Sequence, residues 1–139
     1  MPHKAVIDAA RRRIVIRYDG PVTVSGLLDL LGELVVRPDW RPDFARMPVY
    51  DRAILSSFDP KAMAELVERI AAFRREYYVD PTPPVAHVCS DGLKRVFVKH
   101  WLAEIGRTES ANDRLFETET EAHAWLDGMM GAEGDDASK

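Results

Sequence analysis

One stretch, Met47–Ala64 (MPVYDRAILSSFDPKAMA), constrains the fold more than any other. It begins with an apolar run of strand length and continues through a loop holding Ser56 and Ser57. Asp59-Pro60 then marks a helix start. Aspartate suits the N-cap, and proline suits the first helical position, where its missing N–H costs nothing and its φ is preset. Met63, Leu66, Val67, Ile70 and Phe73 continue as one apolar stripe at helical spacing, with Glu65 and Arg69 four apart on the other side. A buried strand feeding an amphipathic helix is half of a βαβ unit, and the same rhythm recurs twice downstream.

Val85–Ser90 (VAHVCS) is a continuous apolar run, as a central strand covered on both faces requires. Asp91-Gly92 turns into a helix whose stripe reads Leu93, Val96, Phe97, His100, Trp101 and Ile105, with Gly106 as its stop. Arg107–Asn112 reads as a polar loop and Arg114-Leu115-Phe116 as a short strand. Thr118 and Glu121 have capping-box spacing ahead of a helix striped by Ala122, Trp125, Leu126 and Met129. Upstream, Ala5–Asp8 and Arg12–Tyr18 read as strands. The second alternates, with Ile14, Ile16 and Tyr18 on one face and Arg13, Val15 and Arg17 on the other. Asp19-Gly20-Pro21 punctuates the chain. Leu27, Leu28, Leu31, Leu34 and Val35 then predict a helix capped by Thr23 or Ser25. Arg37–Pro48, with three prolines, reads as a loop whose Trp40 and Phe44 form a lid over one end of the core, and the following strand as Met47–Ile54. Asp80–Pro84 is a stiff linker. The order β-β-α-β-α-β-α-β-α predicts a single α/β domain over residues 1–130: a mixed, mostly parallel sheet with four helices and the first two strands antiparallel. Residues 131–139 read as a disordered acidic tail.

The chain of 139 residues carries a net charge of -4, which disfavours nucleic acid as a partner. The local basic run Arg11, Arg12, Arg13 and Arg17 reads as a solvated strand edge that discourages edge-to-edge pairing. One cysteine forms no internal disulfide, no apolar run reaches membrane-spanning length, and Lys4 is followed by too short an apolar run for a signal peptide, so the expected location is cytoplasmic. Cys89 with the scattered His87, His100 and His123 does not make a zinc ligand set, and no glycine-rich dinucleotide or phosphate motif occurs, so neither metal nor cofactor is expected. The composition leaves an oligomer open.

Three segments together resemble the small SpoIIAA-like proteins of the STAS (anti-sigma-factor antagonist) superfamily. They are Met47–Arg52, a strand ending in Tyr-Asp; Ala86–Arg95 (AHVCSDGLKR), a buried strand followed by Ser-Asp and a helix carrying Arg; and Leu115–Leu126 (LFETETEAHAWL). The resemblance covers nearly the whole chain. It implies a mixed sheet with packed helices and a non-enzymatic module that binds a protein partner, a nucleotide or an apolar ligand. In partner-switching members a phosphorylatable serine follows an aspartate at the start of the helix after the equivalent strand. Here that start is Asp59-Pro60-Lys61, with Ser56 and Ser57 earlier in the loop.

A rival signal is Cys89-Ser90-Asp91-Gly92-Leu93-Lys94-Arg95, which fits the Cys-x5-Arg loop of cysteine-dependent phosphatases. A helix N-terminus would stabilise the thiolate, backbone N–H groups would cradle a phosphate, Arg95 would clamp it, and Asp43 or Asp59 would serve as acid. The same segment is also met by a strand, a turn and a helix with Cys89 as a small buried hydrophobe. Ligands of open α/β sheets sit outside the carboxyl ends of strands. On that ground a protein partner or small ligand is expected at Asp51, Arg52, Ser56, Ser57, Ser90 and Asp91, with Cys89 and Arg95 catalytic only in the phosphatase alternative.

Overall fold

The computed structural model describes residues 3–56, 58–78, 82–108 and 112–138, with side chains described except at 105–108 and 131–138. The chain folds as β1 (His3–Asp8), β2 (Arg13–Pro21), α1 (Val24–Val35), β3 (Ala45–Ile54), α2 (Pro60–Tyr77), β4 (Val85–Val88), α3 (Gly92–Thr108), β5 (Asp113–Phe116) and α4 (Glu119–Ser138). The acidic tail expected at 131–139 falls outside the described side chains. The strands stand in the sheet in chain order, β1-β2-β3-β4-β5. β1 pairs antiparallel with β2, and every later pair is parallel, so this is the expected mixed, mostly parallel α/β sheet with four helices.

Crossovers between parallel strands are right-handed by default, so strands laid down in sequential order send their helices to one face. α1, α2 and α3 accordingly pack over Ile14, Ile16, Tyr18, Tyr50 and Cys89. α4 alone covers the opposite face, seating Ala122, Leu126 and Met130 on Val15, Met47, Val49, Ala86 and Val88. The alternation of β2 is as its sequence predicts, but the expected solvated edge is not. β1 occupies the edge, and the Arg13–Val15–Arg17 row faces α4. Arg13 is only 2% exposed and reaches Asp127 at 2.5 Å and His123 Nδ1 at 2.8 Å. Arg11 also meets Asp127, Arg12 donates to the Met130 carbonyl, and Arg17 pairs with Glu119. The basic run therefore clamps α4 to the sheet.

Strand boundaries depart from expectation at two prolines. β3 begins at Ala45, so the tail of the predicted loop is strand, and Pro48 lies inside a strand with neighbours on both sides. Proline removes a ladder donor. The β3–β4 ladder accommodates it by pairing only Arg46 with Val85 and Val49 with Val88. β2 runs on through Asp19-Gly20-Pro21 instead of stopping there. Gly20 takes φ +97°, a region glycine enters without steric cost. The register shifts here: Arg17 pairs with Val49 but Asp19 with Arg52, so Tyr50 and Asp51 together stand opposite Tyr18. This bulge turns both Asp51 and Arg52 outward while Tyr50 and Ala53 stay in the core.

The helix starts are the expected ones. Thr23 accepts from Gly26 N at 3.0 Å and Asp59 from Ala62 N at 2.8 Å, with Pro60 in the first turn. Thr118 accepts from Glu121 N and its hydroxyl donates back to the Glu121 carboxylate. Trp40 and Phe44 pack on the helix-covered core as the predicted lid. α3 is rotated from its predicted phase. It buries Val98 and Trp101, with Phe97 and Leu102 partly covered, while Leu93, Val96 and His100 face outward; the Ile105 side chain is outside the described set. No helix among the described residues is long and apolar enough to cross a membrane.

Candidate functional site

The carboxyl ends of β3 and β4 bring part of the expected site together. Asp51 Oδ1 accepts from the Ser90 backbone N–H at 2.7 Å and from its hydroxyl at 2.8 Å. Lys94 Nζ donates to the Asp51 carbonyl at 2.6 Å. Asp91 accepts from Leu93 N at 2.9 Å and Lys94 N at 3.1 Å, which caps α3. Arg52 is not in this cluster. The bulge sends it to the other side, where it pairs with Asp19 at 3.3 Å on the surface. Ser56 is exposed in the β3–α2 loop with no polar partner in this cluster, and Ser57 lies outside the described residues.

This geometry does not supply a phosphatase loop. Cys89 is fully buried, and its thiol donates weakly to the Asp91 carbonyl at 3.7 Å. Burial, chiefly, and the Asp51 carboxylate push the thiol pKa up, opposite to what a thiolate nucleophile needs. The N-terminal N–H groups of α3, which would cradle a phosphate, are occupied by Asp91. Arg95 Nη1 donates to the Cys89 carbonyl at 2.8 Å instead of facing an anion. The loop starts a helix.

A crevice at strand ends arises where neighbouring connections leave for opposite faces. Strands β2 to β5 follow chain order, so α1, α2 and α3 share one face and no such reversal occurs among them. A concavity lies instead between α2 and α3, a groove of about 730 Å³. Phe58, Asp59 and Pro60 form one end, Met63, Val67 and Ala71 the floor, and Phe97, His100 and Glu104 the α3 wall. Phe58 and Phe97 meet ring to ring at 5.5 Å. Beside this wall, Leu93 is 85% exposed and Val96 66% exposed. Leu93, Phe97, His100 and Glu104 recur at helical spacing, so the groove wall runs on into an uncovered apolar turn at the α3 start.

The sequence reading missed a buried polar chain. Asp113 is ionised and accepts at Oδ2 from Arg74 at 3.0 Å and from His87 Nε2 at 2.8 Å. With its proton on Nε2, His87 accepts the Tyr50 hydroxyl at Nδ1, 2.9 Å away. Burial alone would raise the Asp113 pKa, but His87 and Arg74 overcome it and hold the carboxyl well below the usual range. Burial first, with the Arg74 and Arg46 charges, outweighs the pull of Asp113 and lowers the His87 pKa, so the imidazole is neutral. The rings of Tyr18, Tyr50 and His87 stack in series, with Trp101 edge-on to both Tyr50 and His87. One signal was available. Met63, Val67, Ile70 and Arg74 share a stripe, which places an arginine on the apolar face of α2. Among the described residues, no three His, Cys, Asp or Glu side chains converge as a metal site. No family model matches the chain, and no curated protein matches it either.

Proposed function

We propose that this chain is a non-enzymatic binding module of the SpoIIAA-like, STAS type, engaging a protein partner through the start of α3 and the adjoining α2–α3 groove. The observation that carries this reading is the outward turn of Leu93 and Val96. Two large apolar side chains beside an open groove are what a partner-facing patch requires. The element order and the mixed sheet fit the STAS resemblance. At the strand ends the polar groups bond one another, which favours a rigid recognition edge over a reactive centre. Asp51 and Ser90 hold the β4–α3 turn, and through it they position Leu93. Pro60 replaces the switch serine of the partner-switching members, so recognition here does not depend on phosphorylation at that position.

The test compares the native protein with Leu93→Asp/Val96→Asp, both carrying a photo-crosslinker on Lys99, in an extract of the source cells. A discrete crosslinked protein seen with the native chain and lost in the variant, with unchanged circular dichroism, supports the reading. Equal crosslinking by both chains refutes the placement. An Asp51→Ala variant, which frees the turn, weakens capture; a partner indifferent to it removes the strand-end edge from the interface.

A further inference from the structure

β1 is the outer strand of the sheet, with β2 as its neighbour there. The ladder decides which of its backbone groups are already used. Ala45 N donates to the Arg12 carbonyl at 3.0 Å, so that carbonyl points to β3. The Arg13 N–H lies on the other side of the same planar peptide and points to β1. Alternation then turns Arg13, Val15 and Arg17 toward β1, where they pair with Asp8, Val6 and Lys4. His3, Ala5 and Ile7 are left with N–H and C=O directed outward from the sheet. The Ala5 carbonyl bears this out, since it accepts from Arg37 Nη1 at 3.4 Å on the outer side.

An open edge of this kind pairs with other strands unless its side chains prevent it. Those of β1 disfavour most registers and suit one. Lys4, Val6 and Asp8 share the sheet face that α4 covers; Lys4 is exposed there and Val6 is 44% exposed. A second copy laid antiparallel against β1 must bond to the outward groups of Ala5 and Ile7. With Ala5 opposite the partner's Ile7, Val6 meets the partner's Val6 on the twofold axis. Lys4 then stands opposite the partner's Asp8, once on each side of the axis. A shift of two residues either way sets Val6 against a charge and leaves both charges unmatched. The arginines of β2 do not compete, because Arg13 is held by Asp127 and Arg17 by Glu119. The Arg37 contact on Ala5 is long and exposed, and it gives way to the N–H of the partner's Ile7.

We propose that β1 is a self-association edge that joins two copies of the chain, about a twofold axis at Val6, into one continuous sheet. The partner is a second copy because the strand is its own complement in charge and apolar contact, as a twofold interface requires. One strand pair covers little area, so the dimer dissociates in the micromolar range, with Kd roughly 10–100 µM.

Sedimentation equilibrium of the full chain from about 1 µM to about 500 µM should show a reversible monomer–dimer equilibrium. Val6→Cys places two thiols across the axis with Cα atoms ~4.5 Å apart, within the span of a disulfide, and mild oxidation yields a covalent dimer. Lys4→Cys, whose thiols stand roughly 13 Å apart along the strand, yields far less. Cys89 is buried and takes no part. Ala5→Pro removes a donor that β2 does not use and raises the dimer Kd at least tenfold. If that variant fails to fold, Lys4→Glu serves: it raises Kd several-fold, and Lys4→Glu/Asp8→Lys recovers it. Leu93→Asp/Val96→Asp leaves the dimer intact, which separates this edge from the α3 patch. A chain that stays monomeric throughout, equal crosslinking by Val6→Cys and Lys4→Cys, a charge swap that recovers nothing, or a dimer lost with Leu93→Asp/Val96→Asp overturns the proposal.

Discussion

At the scale of single residues, the helix-covered core is organised around ionisable groups, and their protonation sets the pH range of stability. His87 titrates below its ordinary value in the folded state because burial disfavours its cation. An unfolded histidine takes up its proton near pH ~6.5, so stability declines as pH falls below that point. Asp113 adds a loss at lower pH: its contribution is present above an unfolded pKa of ~3.9 and disappears as pH falls toward the depressed folded value. On the alkaline side burial pushes Tyr18 up to about 12, and Tyr50 shifts the same way. Unfolded tyrosines ionise near pH ~10, so stability drops as pH rises from there. Urea unfolding from pH 4 to 11 should therefore show a plateau between the histidine and tyrosine limbs. Rising stability from pH 7 to pH 5.5 would contradict the assignment of His87 as neutral. Asp113→Ala should cost on the order of 3–5 kcal/mol in the same assay, because it strips a buried acceptor from both Arg74 and His87. Arg74 was legible as a cation on an apolar stripe. Asp113 was not, because its partners lie far upstream and meet it only through the parallel register that sets Val85 opposite Asp113.

At the scale of elements, what was legible was local. Caps at Thr23, Asp59 and Thr118 depend on residues three positions apart, and each forms as its sequence pattern predicts. Asp91, read from the sequence only as part of a turn, also caps its helix. Asp91→Ala should lower stability by about 1 kcal/mol through the lost α3 cap, read as a shift in urea midpoint with unchanged slope. The phase of α3 was not legible, because it carries apolar residues around much of its circumference. Leu93, Val96 and Phe97 compete with Val98, Trp101 and Leu102, and packing against α2 and the sheet decides for the second set. The Arg11–Arg17 run was misread for a related reason. Charge on a strand looks like a solvated edge until a distant helix supplies Asp127, Glu119 and His123. The bulge at Tyr50–Asp51 likewise left no mark in the sequence, yet it separates Asp51 from Arg52 and so divides the expected site between two neighbours.

At the scale of the whole molecule, the sequence order of elements predicts an α/β sheet, and the sequential strand order then follows from short connections. What it leaves unsaid is how unequally the two faces are covered: three helices on one, α4 alone on the other. Ala122 sits fully buried where α4 meets the sheet. Ala122→Asp should cost on the order of 3–5 kcal/mol and expose Met47, Val49 and Val88, detected as lost urea resistance together with binding of an apolar dye. Strand order equal to chain order also bears on biogenesis. As the chain leaves the ribosome, each new strand has its docking edge already formed, and no strand need be inserted between two others. The face built from Val15, Met47, Val49, Ala86 and Val88 is the exception. It stays uncovered until α4 has been synthesised, so the nascent protein passes through a stage with a complete sheet and one bare apolar side, the stage at which a holding chaperone would meet it.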